Sequence, residues 1–142
     1  MTAVDTNILY YVRDSRDPWK QRVATDLMAS MADGALIWQV ACEYLWASRK
    51  PGPQEYGYAD ALTDIQELRS VWTTILPAWE VLDRVGSLKQ QYGLSHWDAL
   101  IVGTCIDRGV GTLYSEDLGG LKRVESVEIR NPFAEAAILS NQ

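Results

Sequence analysis

Histidine and cysteine are scarce in this sequence, which contains one histidine, His96, and two cysteines, Cys42 and Cys105. Acid–base catalysis by a histidine pair is therefore disfavoured, and a zinc site would need a cluster of Cys and His side chains that the chain does not offer. Both cysteines lie in predicted helices among apolar neighbours. We expect buried free thiols rather than a disulfide or a reactive nucleophile.

The sequence also has no long apolar run. No stretch approaches the roughly 20 residues needed to cross a bilayer, and the N-terminus has neither the basic start nor the apolar stretch of a signal peptide. We therefore expect a cytoplasmic protein with no membrane association. Repeats, low-complexity segments and interdomain linkers are lacking too, and the chain of 142 residues has the usual length of one domain. This predicts a single domain over residues 1–142.

Basic residues are fewer than acidic ones, with 13 Lys and Arg against 19 Asp and Glu and a net charge of −6. The overall field would repel a polyanion, which disfavours a protein that coats DNA without specificity. An enzyme acting on nucleic acid remains compatible with this charge, because divalent cations bound in an acidic site reverse its local sign.

Apolar residues recur at helical spacing between short β-prone segments along most of the chain. Strands that alternate with helices indicate parallel βαβ units, so we predict an α/β fold with helices on both faces of a central sheet. The predicted strands are residues 1–4, 35–38, 77–82, 111–115 and 124–129, and the predicted helices are about 8–12, 17–33, 40–50, 56–71, 85–92 and 94–108.

Four acidic residues fall where predicted strands end or predicted helices begin. Asp5 and Asp117 follow strands, and Glu43 and Asp98 lie in the first turns of helices. Because open α/β sheets bind ligands beyond the carboxyl ends of their strands, these side chains are expected at one edge. Carboxylates held together without basic partners repel one another, and Mg²⁺ or Mn²⁺ relieves that repulsion with oxygen ligands. Such a centre favours phosphodiester hydrolysis by metal-activated water.

Each acid also has a structural interpretation. Asp5 and Asp117 could cap the helices that follow them, since short acids accept hydrogen bonds from first-turn amides. Ser95 and Asp98 fit the serine-x-x-acid capping pattern. Glu43 has apolar neighbours, a setting where a solvated glutamate would be out of place, but an ordinary exposed helix position stays open.

Five short motifs surround these acids in a fixed order. They are residues 4–9 (VDTNIL), 39–43 (QVACE), 97–101 (WDALI), 114–118 (YSEDL) and 129–133 (IRNPF). The ordered set resembles the motifs of the PIN-domain ribonucleases, and within that family the toxins of bacterial VapBC toxin–antitoxin pairs. The resemblance covers nearly the whole chain, and its specificity comes from the set rather than from any single motif.

The resemblance implies a three-layer PIN-like fold with a mostly parallel sheet, and a metal-dependent endoribonuclease that hydrolyses RNA phosphodiesters. It also implies a cognate antitoxin that holds the enzyme inactive, and a possible homodimer. A different class stays open, namely a catalytically silent PIN-like module that binds protein or RNA. The residues that the resemblance places around Mg²⁺ or Mn²⁺ are Asp5, Glu43, Asp98 and Asp117, with Asn7 and Ser115 in support and Glu116 as a second candidate beside Asp117.

Two further sets of side chains are candidates for contacts with partners. Most of the six tryptophans are expected in the core, whereas three on outer helix faces could anchor the antitoxin: Trp19, Trp46 and Trp72. Basic residues on helices near the acids could hold RNA phosphates, although a solvated charged face explains any one of them as well; they are Arg13, Lys20, Arg22, Arg49 and Lys50. His96 is expected to start a helix and to line the groove.

Overall fold

The fold is built on a six-stranded sheet, and the computed structural model describes residues 1–141. The strand order is β3-β2-β1-β4-β6-β5, and every neighbouring pair is parallel except β5 and β6. The strands are β1 (Thr2–Val4), β2 (Gly34–Ile37), β3 (Thr73–Ile75), β4 (Thr112–Tyr114), β5 (Arg123–Val124) and β6 (Val127–Arg130).

Seven α-helices in the described part of the chain cover this sheet. Helices α1 to α4 and α7 contact one another in series, and α5 packs against α6. The predicted three-layer α/β fold with a mostly parallel sheet is therefore confirmed. The helices are α1 (Thr6–Val12), α2 (Pro18–Ser30), α3 (Trp38–Ala47), α4 (Tyr58–Val71), α5 (Trp79–Tyr92), α6 (His96–Arg108) and α7 (Pro132–Ser140), with a 3₁₀ turn at Pro53–Glu55.

The core follows from the central strands, whose side chains are buried on both faces. Ala3 in β1 is paired with Ala35 in β2 and with Leu113 in β4, and all three residues are at most 1% exposed. Each large core side chain stabilises the fold by roughly 2 kcal/mol through burial. Both cysteines are free as predicted, but only Cys105 is buried; Cys42 is partly exposed. Over residues 1–141, no helix has the length and apolar character needed to cross a bilayer.

The strand predicted at residues 77–82 is wrong. The chain forms β3 earlier, at Thr73–Ile75, and residues 79–82 belong to the first turn of α5. The helix is favoured because Val81, Val85 and Leu88 are buried at spacings of four and three residues, while Leu82 is exposed. Pro77 lies two residues before the first residue of α5, outside the helix, and the apolar residues that follow it form the first turn.

The last predicted strand, 124–129, is a hairpin of two strands. β5 ends at Val124 and β6 begins at Val127, and Glu125 adopts a left-handed conformation with φ of 51° in the turn between them. Helix α7 was not predicted, although its signal is present. The Asn131 side chain accepts hydrogen bonds from the backbone of Phe133 and Ala134 at 3.0 and 3.2 Å, and Pro132 is the first helical residue.

Candidate active site

The four predicted acids line one cleft of about 590 Å³ at the carboxyl edge of the sheet. Asp5 comes directly after β1, and Asp117 lies in the turn after β4. Asp98 is in the first turn of α6 as expected. Glu43 is in the second turn of α3 rather than the first, because that helix begins at Trp38. The topology therefore brings together side chains that are up to 112 positions apart in the sequence.

Asp5 is the most enclosed of these acids, with 6% of its surface exposed. The backbone N–H of Thr6 donates to one carboxylate oxygen and the Ser115 hydroxyl donates to the other, each at 2.7 Å. Burial raises the pKa of Asp5 to about 6; these two hydrogen bonds oppose the shift, and the charges of Asp98 and Glu43 add to it. Asp5 is thus both the cap of α1 and a carboxylate that pays a desolvation cost when charged.

Glu43 is held by two side chains that the sequence interpretation missed. The Thr6 hydroxyl donates to Oε2 at 2.9 Å, and the Gln39 amide donates to Oε1 at 3.0 Å. The same Gln39 nitrogen also donates to the backbone carbonyl of Trp97 at 3.1 Å, which ties α3 to the start of α6. The signal for Gln39 was its position four residues before Glu43, a spacing that places two side chains together on a helix.

Asp98 is half-buried at the entrance of α6. Its backbone N–H donates to the Ser95 hydroxyl at 3.2 Å, so the predicted serine cap is present. Burial raises the pKa of the Asp98 carboxyl, and the charges of Asp117 and Glu43 raise it further, while a hydrogen bond with Ser95 lowers it. Ser95 therefore caps α6, and the Asp98 carboxylate remains close to the charges of Asp117 and Glu43.

Asp117 accepts a hydrogen bond from Asn7, one of the two residues predicted to support the acids. The Asn7 amide nitrogen donates to Asp117 Oδ2 at 3.0 Å, and the Asp117 backbone N–H donates to the Ser115 hydroxyl at 3.2 Å. Ser115 therefore joins Asp5 to the turn that carries Asp117. The Asn7 side-chain oxygen is buried and accepts no hydrogen bond from the described residues, so the cleft contains one oxygen that lacks a donor or a cation.

Glu116 is committed elsewhere. It accepts hydrogen bonds from Lys20 Nζ at 2.7 Å and from the Tyr11 hydroxyl at 3.1 Å, and the Glu116 partner raises the pKa of Lys20. Another acid on the wall of the cleft, Asp14, is paired with Arg16. These two carboxylates are neutralised by the chain itself.

The four predicted acids are not neutralised in this way. Within residues 1–141, none of them forms a salt bridge. Their mutual repulsion and the unpaired Asn7 oxygen fit an oxygen-ligated cation. The same described residues contain no group of three His, Cys, Asp or Glu side chains close enough to hold one ion directly. The donor set therefore fits a hard cation bound by few carboxylates, as Mg²⁺ commonly is when it keeps several waters.

Arg13 does not belong to an RNA-binding surface, contrary to the sequence interpretation. Only 9% of the residue is exposed, and its guanidinium lies between the rings of Tyr10 and Tyr56, 4.3 and 4.5 Å from their centroids. It donates to the Ser48 hydroxyl at 2.6 Å. Its role is structural. Lys20 lies at the margin of the acidic cleft in its pair with Glu116.

The tryptophans also differ from expectation. Most were predicted in the core, yet four of the six are more than half exposed: Trp38, Trp46, Trp79 and Trp97. Trp72, predicted on an outer face, packs against the core instead. A Cβ placed on Gly34 would overlap the Trp72 indole, so the glycine makes room for it.

Comparisons with known proteins agree with this architecture. The family model of the PIN domain matches residues 2–127, and no curated protein sequence matches the chain. A toxin–antitoxin complex from Klebsiella pneumoniae aligns with a TM-score of 0.69 and 22% identity over 93% of this chain and 98% of that chain. The Mycobacterium tuberculosis VapC20 toxin, described as cleaving the sarcin–ricin loop, aligns with a TM-score of 0.68 and 15% identity over 88% and 98%.

A third solved structure, VapBC2 from Rickettsia felis bound to a DNA fragment from its promoter, gives a TM-score of 0.64 and 18% identity over 92% of this chain and 97% of that chain. At these identities the likeness to solved structures establishes the fold alone.

Proposed function

Because this chain belongs to the PIN domain family, we propose that it is a metal-dependent endoribonuclease and the toxin of a type II toxin–antitoxin pair. The observation that carries the proposal is the convergence of Asp5, Glu43, Asp98 and Asp117 in one cleft without a basic partner. Charge left unpaired in this way raises the free energy of the fold, which is characteristic of a site built for a ligand.

The proposed cofactor is Mg²⁺ or Mn²⁺ bound among these four acids, with water between the ion and those carboxylates that do not reach it directly. When bound, such an ion lowers the pKa of water and neutralises charge on a phosphodiester. The chain's own contribution is to hold the acids in place. Thr6 and Gln39 each donate to one oxygen of Glu43, and the Ser115 hydroxyl fixes Asp5. Hydrogen bonds of this kind keep carboxylates oriented in the absence of the ion.

Asn7 and Ser115 are proposed as supporting residues, and Asp117 rather than Glu116 as the fourth acid. Asn7 donates to Asp117, whereas Glu116 is occupied by Lys20 and Tyr11. Lys20 and Arg16 then stand at the edge of the cleft with their charges paired to acids. They limit the negative potential that an RNA strand meets on its way to the acids.

The test of the enzyme is RNA cleavage by the purified chain with Mg²⁺ or Mn²⁺, against the same reaction in excess EDTA. We expect Asp98→Asn to lower the rate at least about 100-fold. Asp107→Asn is the matched control, because it makes the same change at an exposed position of the same helix. Products should carry 5′-phosphate and 3′-hydroxyl ends. Cleavage that persists in EDTA, or cyclic 2′,3′-phosphate ends, would contradict the mechanism.

The second candidate function is the catalytically silent PIN-like module. It is favoured only by the caps, since Asp5 and Ser95 do cap α1 and α6. RNA binding without cleavage under every metal condition, with Asp98→Asn binding as the wild type does, would support that module instead.

The antitoxin is proposed to lay an apolar helix in the cleft of about 600 Å³ between α1, α2 and α4. Leu9, Val12, Met28 and Leu68 supply apolar surface there, and Asp64 and Glu67 lie on its wall. An amphipathic helix with basic side chains matches that combination. Of the three anchors expected from sequence, Trp72 lies against the core, while Trp19 and Trp46 are exposed and remain predictions.

Val71 offers a direct test of this partner site, since it lines the cleft and is 74% exposed. Val71→Lys should weaken co-purification of the adjacent small protein, while Leu139→Lys, at a comparably exposed apolar position on α7, should not. If neither the wild type nor the control retains that protein, the toxin half of the proposal fails and the nuclease half is untouched. A cytoplasmic location and a homodimer belong to the same proposal and are checked by fractionation and sedimentation.

A further inference from the structure

The sheet has two edge strands, β3 and β5, and they differ in how their edges are protected. β5 consists of two residues. One of them is the exposed cation Arg123, and the exposed Lys122 precedes it. Short length and charged side chains are common means by which proteins keep a sheet edge from pairing with another chain. The β5 edge is therefore protected.

The β3 edge lacks charged side chains altogether. Residues 70–79, which contain the whole strand, include no Asp, Glu, Lys or Arg. Thr73 and Thr74 are exposed, and Val71 and Leu76, on either side of the strand, are 74% and 64% exposed. An uncharged, exposed edge of β-prone residues pairs readily with another extended chain, and natural proteins commonly cover such an edge. This asymmetry between the two edges indicates that β3 is a binding edge.

The backbone of β3 is paired on one side. Its neighbour in the sheet is β2, with Thr74 opposite Leu36. Among residues 1–141, the backbone groups of residues 73–76 form no hydrogen bond with a loop or a cap. Successive residues of a parallel strand direct their N–H and C=O groups to opposite sides, so the outer side of β3 presents donors and acceptors in alternation. An extended backbone is the ligand that matches this row.

This edge begins where the cleft proposed for the antitoxin ends. Ser70 and Val71, the last two residues of α4, line that cleft, and β3 starts two residues later at Thr73. Two residues of extended chain span about 7 Å. A partner whose helix lies in the cleft therefore reaches the β3 edge with a short extension of its own chain.

We infer that the β3 edge binds an extended segment of that same partner, which adds a seventh strand to the sheet beside β3. The inference rests on the proposed function, because the partner is the antitoxin proposed for the cleft. It deepens that function by giving the partner two modules, an apolar helix and, next to it in sequence, an uncharged β-prone segment. Main-chain hydrogen bonds supply the affinity of an added strand.

The length of the edge distinguishes this occupant from a second copy of the chain. A strand of this length offers about two or three hydrogen bonds to an added strand, and each is worth about 2- to 12-fold in affinity. Two short strands that pair alone are marginally stable in water, so this gain does not hold a freely diffusing copy. A segment tethered to a helix in the adjoining cleft pairs at a high effective concentration, and the same few bonds add to an affinity already present.

The experiment is hydrogen exchange, followed by mass spectrometry, on the full chain alone and in its complex with the adjacent small protein. We expect the outer amides of residues 73–76 to exchange at least about tenfold more slowly in the complex, because paired amides are protected. Residues 122–124 at the other edge are the internal control and should exchange equally in both samples. Unchanged exchange at residues 73–76 in the complex overturns the inference.

Lysine substitutions separate strand pairing from a general stabilisation of the fold. Thr73→Lys and Thr74→Lys place a charge on the edge, which opposes strand addition. Each should weaken the affinity for the small protein at least about fivefold in calorimetric titration, the loss expected for two of the weaker hydrogen bonds. Thr63→Lys is the matched control, because Thr63 is an exposed threonine of α4 that does not line the cleft. Wild-type affinity of both edge variants overturns the inference.

The outcomes distinguish this inference from the proposal on which it rests. A chain that captures no small protein defeats the toxin proposal and this inference together. Capture of the small protein with unchanged exchange at residues 73–76 defeats this inference alone. Protection of residues 73–76 that increases with the concentration of the isolated chain assigns the edge to a second copy and overturns the inference as well.

Discussion

The acidic cleft and the surroundings of Arg13 are two places where the chain removes charge from water, and they do so in opposite ways. Arg13 is enclosed by the rings of Tyr10, Tyr44 and Tyr56 and donates to Ser48. Asp5 is as deeply buried, but its nearest charged neighbours, Asp98 and Glu43, carry the same sign. The first charge is compensated by aromatic faces and a hydrogen bond, although Arg13 Nε has no partner among the described residues, whereas the second is surrounded by charges of its own sign.

Removing the enclosed cation should have the largest effect on stability. Arg13→Ala deletes a charge-assisted hydrogen bond and the contacts with three aromatic rings, and leaves a cavity where the side chain was. We expect a loss of about 3 kcal/mol in the free energy of unfolding. Arg49→Ala, which removes an exposed cation from one aromatic ring, should cost less than about 1 kcal/mol. Chemical denaturation measures both, and equal losses would show that the enclosure of Arg13 adds no more stability than one exposed contact between a cation and an aromatic ring.

Neutralising Asp5, the buried acid, should raise the free energy of unfolding rather than lower it. With a folded-state pKa of about 6 against an ordinary value of 3.8, Asp5 binds protons more tightly in the folded chain than in the unfolded one. Stability of the metal-free protein should therefore fall as the pH rises from about 4 to 6 and then level off. Asp5→Asn should gain about 2 kcal/mol at pH 7 and lose that pH slope. A wild type with flat stability across this interval would contradict the argument.

A divalent cation should recover part of this cost. At a Mn²⁺ concentration ten times its dissociation constant, linkage predicts a gain of about 1.4 kcal/mol in the wild type. Asp98→Asn should gain much less, and Asp107→Asn should match the wild type. Thermal unfolding with and without Mn²⁺ gives the comparison. The same gain in Asp98→Asn would remove that residue from the cation site.

The smallest effect is expected from the acid that is already paired. Glu116→Gln loses an ion pair with Lys20 in which both side chains are about one-quarter exposed, and we expect a loss of about 1 kcal/mol, the upper end for surface pairs. The Mn²⁺-induced gain should be unchanged, because Glu116 already accepts from Lys20 and Tyr11. If Glu116→Gln lost the stabilisation by Mn²⁺ and Asp117→Asn kept it, Glu116 rather than Asp117 would be the fourth acid of the cation site.

Sequence patterns were sufficient for the fold class and for the gathering of the four acids, because both depend on where strands end and helices begin. Ser115 and Asn7 were predicted as supports and do contact Asp5 and Asp117. Thr6 was passed over, although it lies beside Asp5, because its contact with Glu43 exists only once α1 and α3 are packed together.

The wrong predictions for Arg13, the tryptophans and residues 77–82 share one cause, because the burial of a side chain depends on segments that are distant in the sequence. The sequence predicts Arg13 as a surface cation. Its burial requires Tyr44 and Tyr56, which are contributed by distant segments. Three of the exposed tryptophans, Trp38, Trp79 and Trp97, were expected inside because large apolar residues are mostly buried, whereas Trp46 was expected on an outer face and is exposed. Residues 77–82 are apolar enough for either element, and the helix was selected by the burial of Val81 on the side facing α6.

The order of the strands also sets when the acidic cleft comes into being during synthesis. β1 lies in the middle of the sheet between β2 and β4, so the strand that leads into Asp5 gains its second neighbour only after residues 112–114 have been made. Asp98 and Asp117 come late as well. At roughly 5–20 residues per second, a nascent chain spends most of its elongation without a complete set of carboxylates. Any hydrolytic activity is thereby withheld until Asp117 has been made, which is about four-fifths of the way along the 142 residues.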